Sequence, residues 1–264
     1  MKLIVIIAIV VYSTLLYCYL HKKTHISLKY IYKDNLFNIV VSCSLMLLIS
    51  LQEWSTSWLL FLSIFVSVPA ICILLTMLRF YRTPFRNTNM KSGGIVSPAD
   101  GNIIYIKRID SGKIPISVKN GRRATLNEFV NTGILDYPCW LIGINMTPFD
   151  VHRNCAPVDG RILLNRHYDG EFLSLKHQDA LARNERNTIV IDNPKGKIGV
   201  VQTASRLVRR IVTYKLEGEF VSKGEWFGMI KFGSQVDLII PASCKVNVIL
   251  QQQVYAKNTL IAEW

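Results

Sequence analysis

Residues 3–20 form an apolar run without one charged side chain, and residues 36–51 and 58–78 repeat the pattern. Runs of about 18 residues or more are read as spanning helices, so the first third of this chain belongs in lipid. Only Lys2 precedes the first run, and its exit, Tyr17-Cys18-Tyr19-Leu20-His21, offers no small-x-small cleavage site. It therefore reads as an uncleaved span rather than a signal peptide. Lys22, Lys23, Lys29 and Lys33 follow the first run, Arg79, Arg82, Arg86 and Lys91 follow the third, and residues 52–57 hold no Lys or Arg. By the positive-inside rule both basic segments face the cytoplasm, with the turn at 52–57 on the far side. A re-entrant or surface-buried hairpin over 36–78 is the alternative. The domain expectation is a membrane-anchoring region over 1–90 and a cytoplasmic domain over 91–264, at the cell (inner) membrane.

From Arg79 onward 26 Lys and Arg stand against 16 Asp and Glu, and the whole chain carries +13. No basic run interleaved with aromatics points to nucleic acid. A tethered basic domain is more simply matched to anionic lipid headgroups. The six cysteines are scattered, three of them inside the apolar runs, with no CxxC pair. That spacing disfavours both zinc and a disulfide framework and fits a reducing compartment.

After residue 93 the pattern changes to short β-like runs between turn residues: 102–108, 114–118, 140–145, 161–164, 188–192, 198–204, 210–215, 229–232, 236–240, 245–248 and 259–263. Segments near 126–130 and 174–183 read as short helices. Many short strands at this spacing imply a mainly β fold, compact, antiparallel and barrel-sandwich-like, behind N-terminal transmembrane helices.

Two of these runs flank a bare Gly233-Ser234 pair. Such a pair is a turn signal, and it also sets a hydroxyl beside a sterically open carbonyl. Given a base, Ser234 can attack the Gly233 carbonyl and convert amide to ester. Four polar clusters interrupt the β pattern: Ser97-Pro98-Ala99-Asp100-Gly101; the loop from Met146 to Gly160 that carries His152; Asn184-Glu185-Arg186-Asn187; and Arg209-Arg210. Each has a plain reading as a turn or a solvated face. Asp100, His152 and Ser234 would, if they converge, form a hydrogen-bonded relay able to activate the serine. His167 and His177 lack any motif and read as structural or surface residues.

Taken in order, these motifs resemble the phosphatidylserine decarboxylase family, in its short membrane-anchored branch. Arg79-Phe80-Tyr81-Arg82-Thr83-Pro84-Phe85-Arg86 is similar to the family's aromatic-Arg-x-Pro-x-Arg segment, Pro98-Ala99-Asp100-Gly101 to its Pro-x-Asp-Gly motif, and residues 149–160 to its Asp-x-His loop ending in Pro-x-x-Gly. Asn184-Glu185-Arg186-Asn187 and the Gly233-Ser234 site complete the series over roughly residues 79–249.

The resemblance implies a proenzyme that cuts itself between Gly233 and Ser234 and converts Ser234 into a covalent pyruvoyl group, with no metal or external cofactor. The large and small subunits would both come from one chain, and the small one, 234–264, has 31 residues. The reaction implied is phosphatidylserine to phosphatidylethanolamine plus CO2. Ser234, His152 and Asp100 are the implied catalytic set, with Arg82 and Arg86 as candidate phosphate holders, for which ordinary positive-inside anchoring is the plainer reading. Where the longer branch has a second histidine, this chain has Cys155. Partners implied are the lipid substrate and the membrane, and a homo-oligomer is compatible. Two alternatives stay open: a non-catalytic membrane-anchored β adaptor, and the same chemistry on another amino-acid-headgroup lipid.

Overall fold

The computed structural model describes residues 2–24, 28–50, 57–89, 91–110, 113–118, 122–125, 133–171, 173, 183–204, 210–231 and 234–264. The chain divides into two compact units, Met1–Tyr81 and Arg82–Trp264.

The first unit holds three helices, α1 (Lys2–Thr24), α2 (Leu28–Ser50) and α3 (Ser57–Tyr81). Stretches of all three, Leu3–Lys22, Ile31–Ile49 and Ile64–Tyr81, are long and apolar enough to cross a membrane. Leu3, Phe65, Val66 and Ile73 face outward, while Val5, Ile9, Met46, Ile64 and Val68 pack between helices.

The second unit is antiparallel β throughout its named strands. In chain order they are β1 (Gly94–Val96), β2 (Gly101–Ile109), β3 (Lys113–Val118), β4 (Arg122–Thr125), β5 (Cys139–Met146), β6 (Arg153–Cys155), β7 (Gly160–Tyr168) and β8 (Arg186–Asn193). There follow β9 (Gly196–Ala204), β10 (Arg210–Thr213), β11 (Phe220–Val221), β12 (Trp226–Lys231), β13 (Ser234–Pro241), β14 (Lys245–Val246), β15 (Gln253–Val254) and β16 (Leu260–Glu263). An eight-stranded sheet runs β11-β7-β8-β9-β13-β5-β2-β15, with three-stranded sheets β10-β12-β6 and β1-β16-β14 and the hairpin β3-β4 beside it. The mainly β expectation is borne out. The expected helices near 126–130 and 174–183 fall outside the described residues, apart from Arg183.

β13 sits inside the large sheet, and its Val236, Leu238 and Ile240 are almost wholly buried. Strand alternation sends these three into the larger core cluster, with Ile142, Ile144, Val200 and Phe227, while Ile239 enters a second cluster with Leu141, Val190 and Val201. A strand buried on both faces reads as a continuous apolar run, which is why a single carboxylate within it, Asp237, is informative. Each aliphatic side chain so buried contributes roughly 1.5–3 kcal/mol. The Asp100-Gly101 turn needs its glycine: Gly101 has φ of +151°, and a Cβ there would lie 2.4 Å from the Asn145 carbonyl oxygen.

Candidate active site

Ser234 opens β13, its backbone paired with Met146 of β5 on one side and Ala204 of β9 on the other. The preceding strand, β12, belongs to a different sheet, with β6 and β10. The junction between Lys231 and Ser234 is therefore where the chain leaves one sheet for another. Across a break there, β13 from Gln235 onward keeps its pairing to β5 and β9, and β12 keeps its pairing to β6 and β10. Gly233 itself lies outside the described residues.

Met146 also leads directly into the turn that delivers the histidine. Pro148 favours the second position of such a turn, and the Asp150 amide donates to the Thr147 carbonyl at 3.0 Å. The Asp150 carboxylate closes the turn by accepting from the Thr147 amide at 2.7 Å, the Thr147 hydroxyl at 2.8 Å and Gln253 Nε2 at 3.1 Å. Burial, helped by the charge of Asp100, still holds this carboxyl above the usual range, against the opposing pull of those bonds.

His152 is fully buried. Its Nδ1 lies 2.9 Å from the Asp150 carbonyl oxygen. A carbonyl can only accept, so Nδ1 carries the proton and Nε2 keeps the lone pair. Burial pulls the imidazole pKa down to about 4, with the Arg82 charge acting in the same direction and the Asp150 carbonyl against it. The ring is thus neutral at pH 7. Its backbone carbonyl accepts from the Ile230 amide at 3.1 Å, tying it to β12 four residues before Ser234.

Asp100 is 1% exposed, and its carboxylate is met by both Nη groups of Arg86, by the Ala256 amide at 2.8 Å and by the Val151 amide at 3.4 Å. Arg82 Nη1 donates to the Phe149 carbonyl at 3.2 Å. Asp100 and Arg82 therefore each bond the backbone of the 147–152 turn, and Arg86 holds the Asp100 carboxylate. The carboxylate orients the histidine's loop, and the Asp150 carbonyl orients the ring. A buried charge pair with these extra donors is strongly placed, because removing one partner would strand the other.

Cys155, at the place of the second histidine, is fully buried, and its Sγ lies 3.3 Å from the Ser97 carbonyl oxygen. Burial pushes this thiol up to about 12, so it neither gives nor takes a proton near neutrality. The Asn184–Asn187 cluster, which reads as a polar turn, is instead buried and leads into β8. Asn187 donates to Asn165 at 2.9 Å and to Gln202 at 3.3 Å, and Gln202 donates to Asn154 at 2.8 Å. This ladder of amides pins β6, which follows His152 directly, to β9 and β8 of the large sheet. His167 faces Glu185 at 3.4 Å and Asp169 at 3.6 Å, while His177 lies outside the described residues.

Sequence reasoning missed Asp150, the amide ladder, and a cluster of Tyr105, Gln235 and Asp237. Asp237 left a signal as a lone acid within Val236 to Ile240, Asp150 as the acid of the Asp-x-His loop, and Asn187 as the end of the Asn184–Asn187 cluster.

The model of the phosphatidylserine decarboxylase family matches residues 73–262. A putative archaetidylserine decarboxylase proenzyme of Methanocaldococcus jannaschii is 38% identical over 200 residues, covering 75% of this chain and 94% of the relative. One of the same description from Methanothermobacter thermautotrophicus is 36% identical, covering 75% and 85%. A phosphatidylserine decarboxylase proenzyme of Azorhizobium caulinodans is 36% identical over 206 residues, covering 78% and 81%. With a match of this length the chain belongs to the phosphatidylserine decarboxylase family.

Proposed function

We propose that this chain is a membrane-anchored, self-processing carboxy-lyase that converts phosphatidylserine to phosphatidylethanolamine and CO2. One observation carries the reading: a buried imidazole held neutral and oriented by the Asp150 carbonyl, on a turn whose first neighbour, Met146, is paired with Ser234.

His152 takes the proton from the Ser234 hydroxyl as its oxygen adds to the Gly233 carbonyl carbon. The carbon–nitrogen bond then breaks, the proton passes to the departing amine, and Gly233 is left esterified to Ser234. Loss of the Ser234 α-proton with the Gly233 carboxylate as leaving group frees the large subunit. Water then replaces the amine, released as ammonia, and leaves a ketone at position 234. The fold suits this outcome, since the new end lies at the start of a strand bonded on both sides. A pyruvoyl ketone supplies an electron sink that lets a serine amine's neighbouring carboxyl depart as CO2. Asp100 and Arg86 keep the loop in place, burial, with a smaller contribution from Arg82, keeps His152 unprotonated, and Cys155 takes no part.

The domain reading is an anchor over 1–90 and a catalytic domain over 91–264, the latter cytoplasmic because both basic flanks lie on its side. The relatives' names share a serine headgroup and the loss of its carboxyl but differ in the rest of the lipid. The test is intact mass of the wild type and Ser234→Ala in bilayer nanodiscs, with release of labelled CO2 from carboxyl-labelled phosphatidylserine. The expected result is a fragment ending at Gly233, a 31-residue fragment blocked at its first residue, and CO2 from the wild type alone. A folded wild type that stays whole would sink the proposal and return the adaptor reading. A cut enzyme that releases CO2 only from another serine lipid would move the substrate.

A further inference from the structure

Asp237 and Gln235 share one face of β13, and Tyr105 reaches them from β2, two strands away. Between them on β5 stands Gly143, paired with both Tyr105 and Asp237. A methyl group at Gly143 would sit 2.5 Å from Tyr105 Cζ, so the bare glycine is what lets the ring lie across the middle strand. The phenol donates to Asp237 Oδ1. Gln235 Nε2 donates to the phenol oxygen at 2.7 Å and stands 3.0 Å from each carboxylate oxygen. Asp237 is 0% and Gln235 3% exposed. Burial holds the carboxyl up at about 7, against the pull of the Tyr105 and Gln235 bonds.

A carboxylate in the middle of an apolar strand is expensive, and a hydrophobic side chain of similar volume would serve the core as well or better. What this one does that a hydrophobe cannot is grip a specific neighbour. Ser234 is the first residue of β13, where a ladder frays most easily, and Gln235 is bonded directly to it. Attack on the preceding carbonyl tolerates little misplacement. Resting on the self-cleavage reading above, we propose that Tyr105 and Asp237 are positioning residues for that cleavage, clamping Gln235 so that the Ser234 backbone is held at the scissile junction. After cleavage the same clamp holds the start of the small subunit, where the ketone would sit. Neither residue touches the reacting atoms in this scheme, and both act through Gln235.

The experiment exchanges donors for acceptors. Asp237→Asn turns an amide toward the donating amide of Gln235, Gln235→Glu sets a second acid against Asp237, and the double variant restores a donor–acceptor pair between the two positions. Full-length chains are synthesised in the presence of nanodiscs and the cut fraction is followed in time, alongside each variant's thermal midpoint. Each single variant should slow cleavage by about ten-fold or more, the double variant should recover most of that loss, and the midpoints should not track the rates. Tyr105→Phe, which keeps the ring over Gly143 and loses only the hydroxyl, guards against a 237 variant that fails to fold, and it too should slow cleavage. Singles and Tyr105→Phe that cut as fast as a cutting wild type would overturn the clamp while leaving self-cleavage intact. A double variant as slow as the singles would overturn it as well. An uncut wild type would instead defeat the self-cleavage reading itself.

Discussion

Both units of this chain bury polar side chains, and the two do so for different reasons. In the helical unit Leu3 is 70% and Val66 63% exposed, while Ser13, Asn38 and Ser42 are 0% and Asp34 5% exposed. Those inward groups bond across the helices: Ser13 to Asn35 at 2.6 Å, Asn38 to the Val68 carbonyl at 3.1 Å, and Asp34 to Arg79. Helices this apolar on their outer faces gain little from hydrophobic burial in a bilayer, the setting their length and composition suit, and there such bonds together with packing would take over. In the β unit the core is apolar, and buried polar groups collect where β13 begins. There the surroundings change what a group can do, leaving His152 neutral and Cys155 inert. Burial of a polar residue is thus no mark of chemistry by itself. The mark is a titratable group whose surroundings select one protonation state beside a reactive bond.

The comparison breaks most visibly at His152. His152→Gln should slow self-cleavage by about 10²–10⁴-fold, the usual worth of a positioned base, while Asn38→Leu in the helical unit should leave the rate within about two-fold on the same grounds. Time courses of the two fragments decide it, and equal slowing by both would erase the distinction. Next in size is Asp34→Leu, which leaves Arg79 without its carboxylate among the helices. Breaking a buried pair costs about 3–5 kcal/mol, whereas replacing both partners with leucine should cost much less. Detergent-unfolding midpoints of the single and double variants would reveal this, with cleavage unaffected where the helices still assemble.

How far the sequence disclosed these two regions follows from the kind of signal each leaves. Uncharged runs announce the helices, because runs of this length and apolarity are the pattern of spanning helices. β13 was legible for a similar reason, since a buried strand is written almost wholly in Val, Leu and Ile. The site was legible as motifs but not as geometry. Asp100 and His152 read naturally as partners, yet the carboxylate belongs to Arg86 and the ring to the Asp150 carbonyl, and backbone acceptors leave no trace in side-chain identity. Asn184 to Asn187 read as a solvated turn because polarity normally means exposure. Only pairing of β8 with β9 shows that Asn187 meets Gln202 inside. The Tyr105 clamp was unreadable because it joins residues 132 apart, through a glycine whose role is to be absent.

A smaller effect sharpens the contrast through pH. His152 has a folded pKa of about 4 against an ordinary 6.5, so between those values the unfolded chain binds more protons. Stability from this group is complete above about 6.5 and is lost as pH falls toward 4, by about 3 kcal/mol in all. Asp237 runs the other way, since its raised pKa makes stability fall as pH rises from 3.8 toward 7. The two slopes oppose each other, so the wild type alone shows little. The difference between Ser234→Ala and Ser234→Ala/His152→Gln in denaturant midpoint isolates the histidine and should shrink on acidification. A pH-independent difference would mean that the ring is not held neutral by burial.

The smallest expected effect tests whether the amide ladder belongs with the helical unit's adhesive bonds or with the site. Gln202→Leu removes the donor to Asn154 and the acceptor for Asn187, leaving two buried amides short of a partner, a loss of about 1–3 kcal/mol. If the ladder were adhesive only, this loss would appear in the unfolding midpoint and the cleavage rate of the folded fraction would stay unchanged. Asn154, however, lies two residues beyond His152 on the segment paired with β12, so a shift of β6 displaces the base relative to Ser234. The expectation is therefore a modest fall in both stability and rate. Substitution by Glu, which keeps an acceptor for Asn187 but cannot donate to Asn154, should restore less of the rate than of the stability. A Gln202→Leu protein that is destabilised yet cuts at the wild-type rate would place the ladder with the adhesive bonds of the helices.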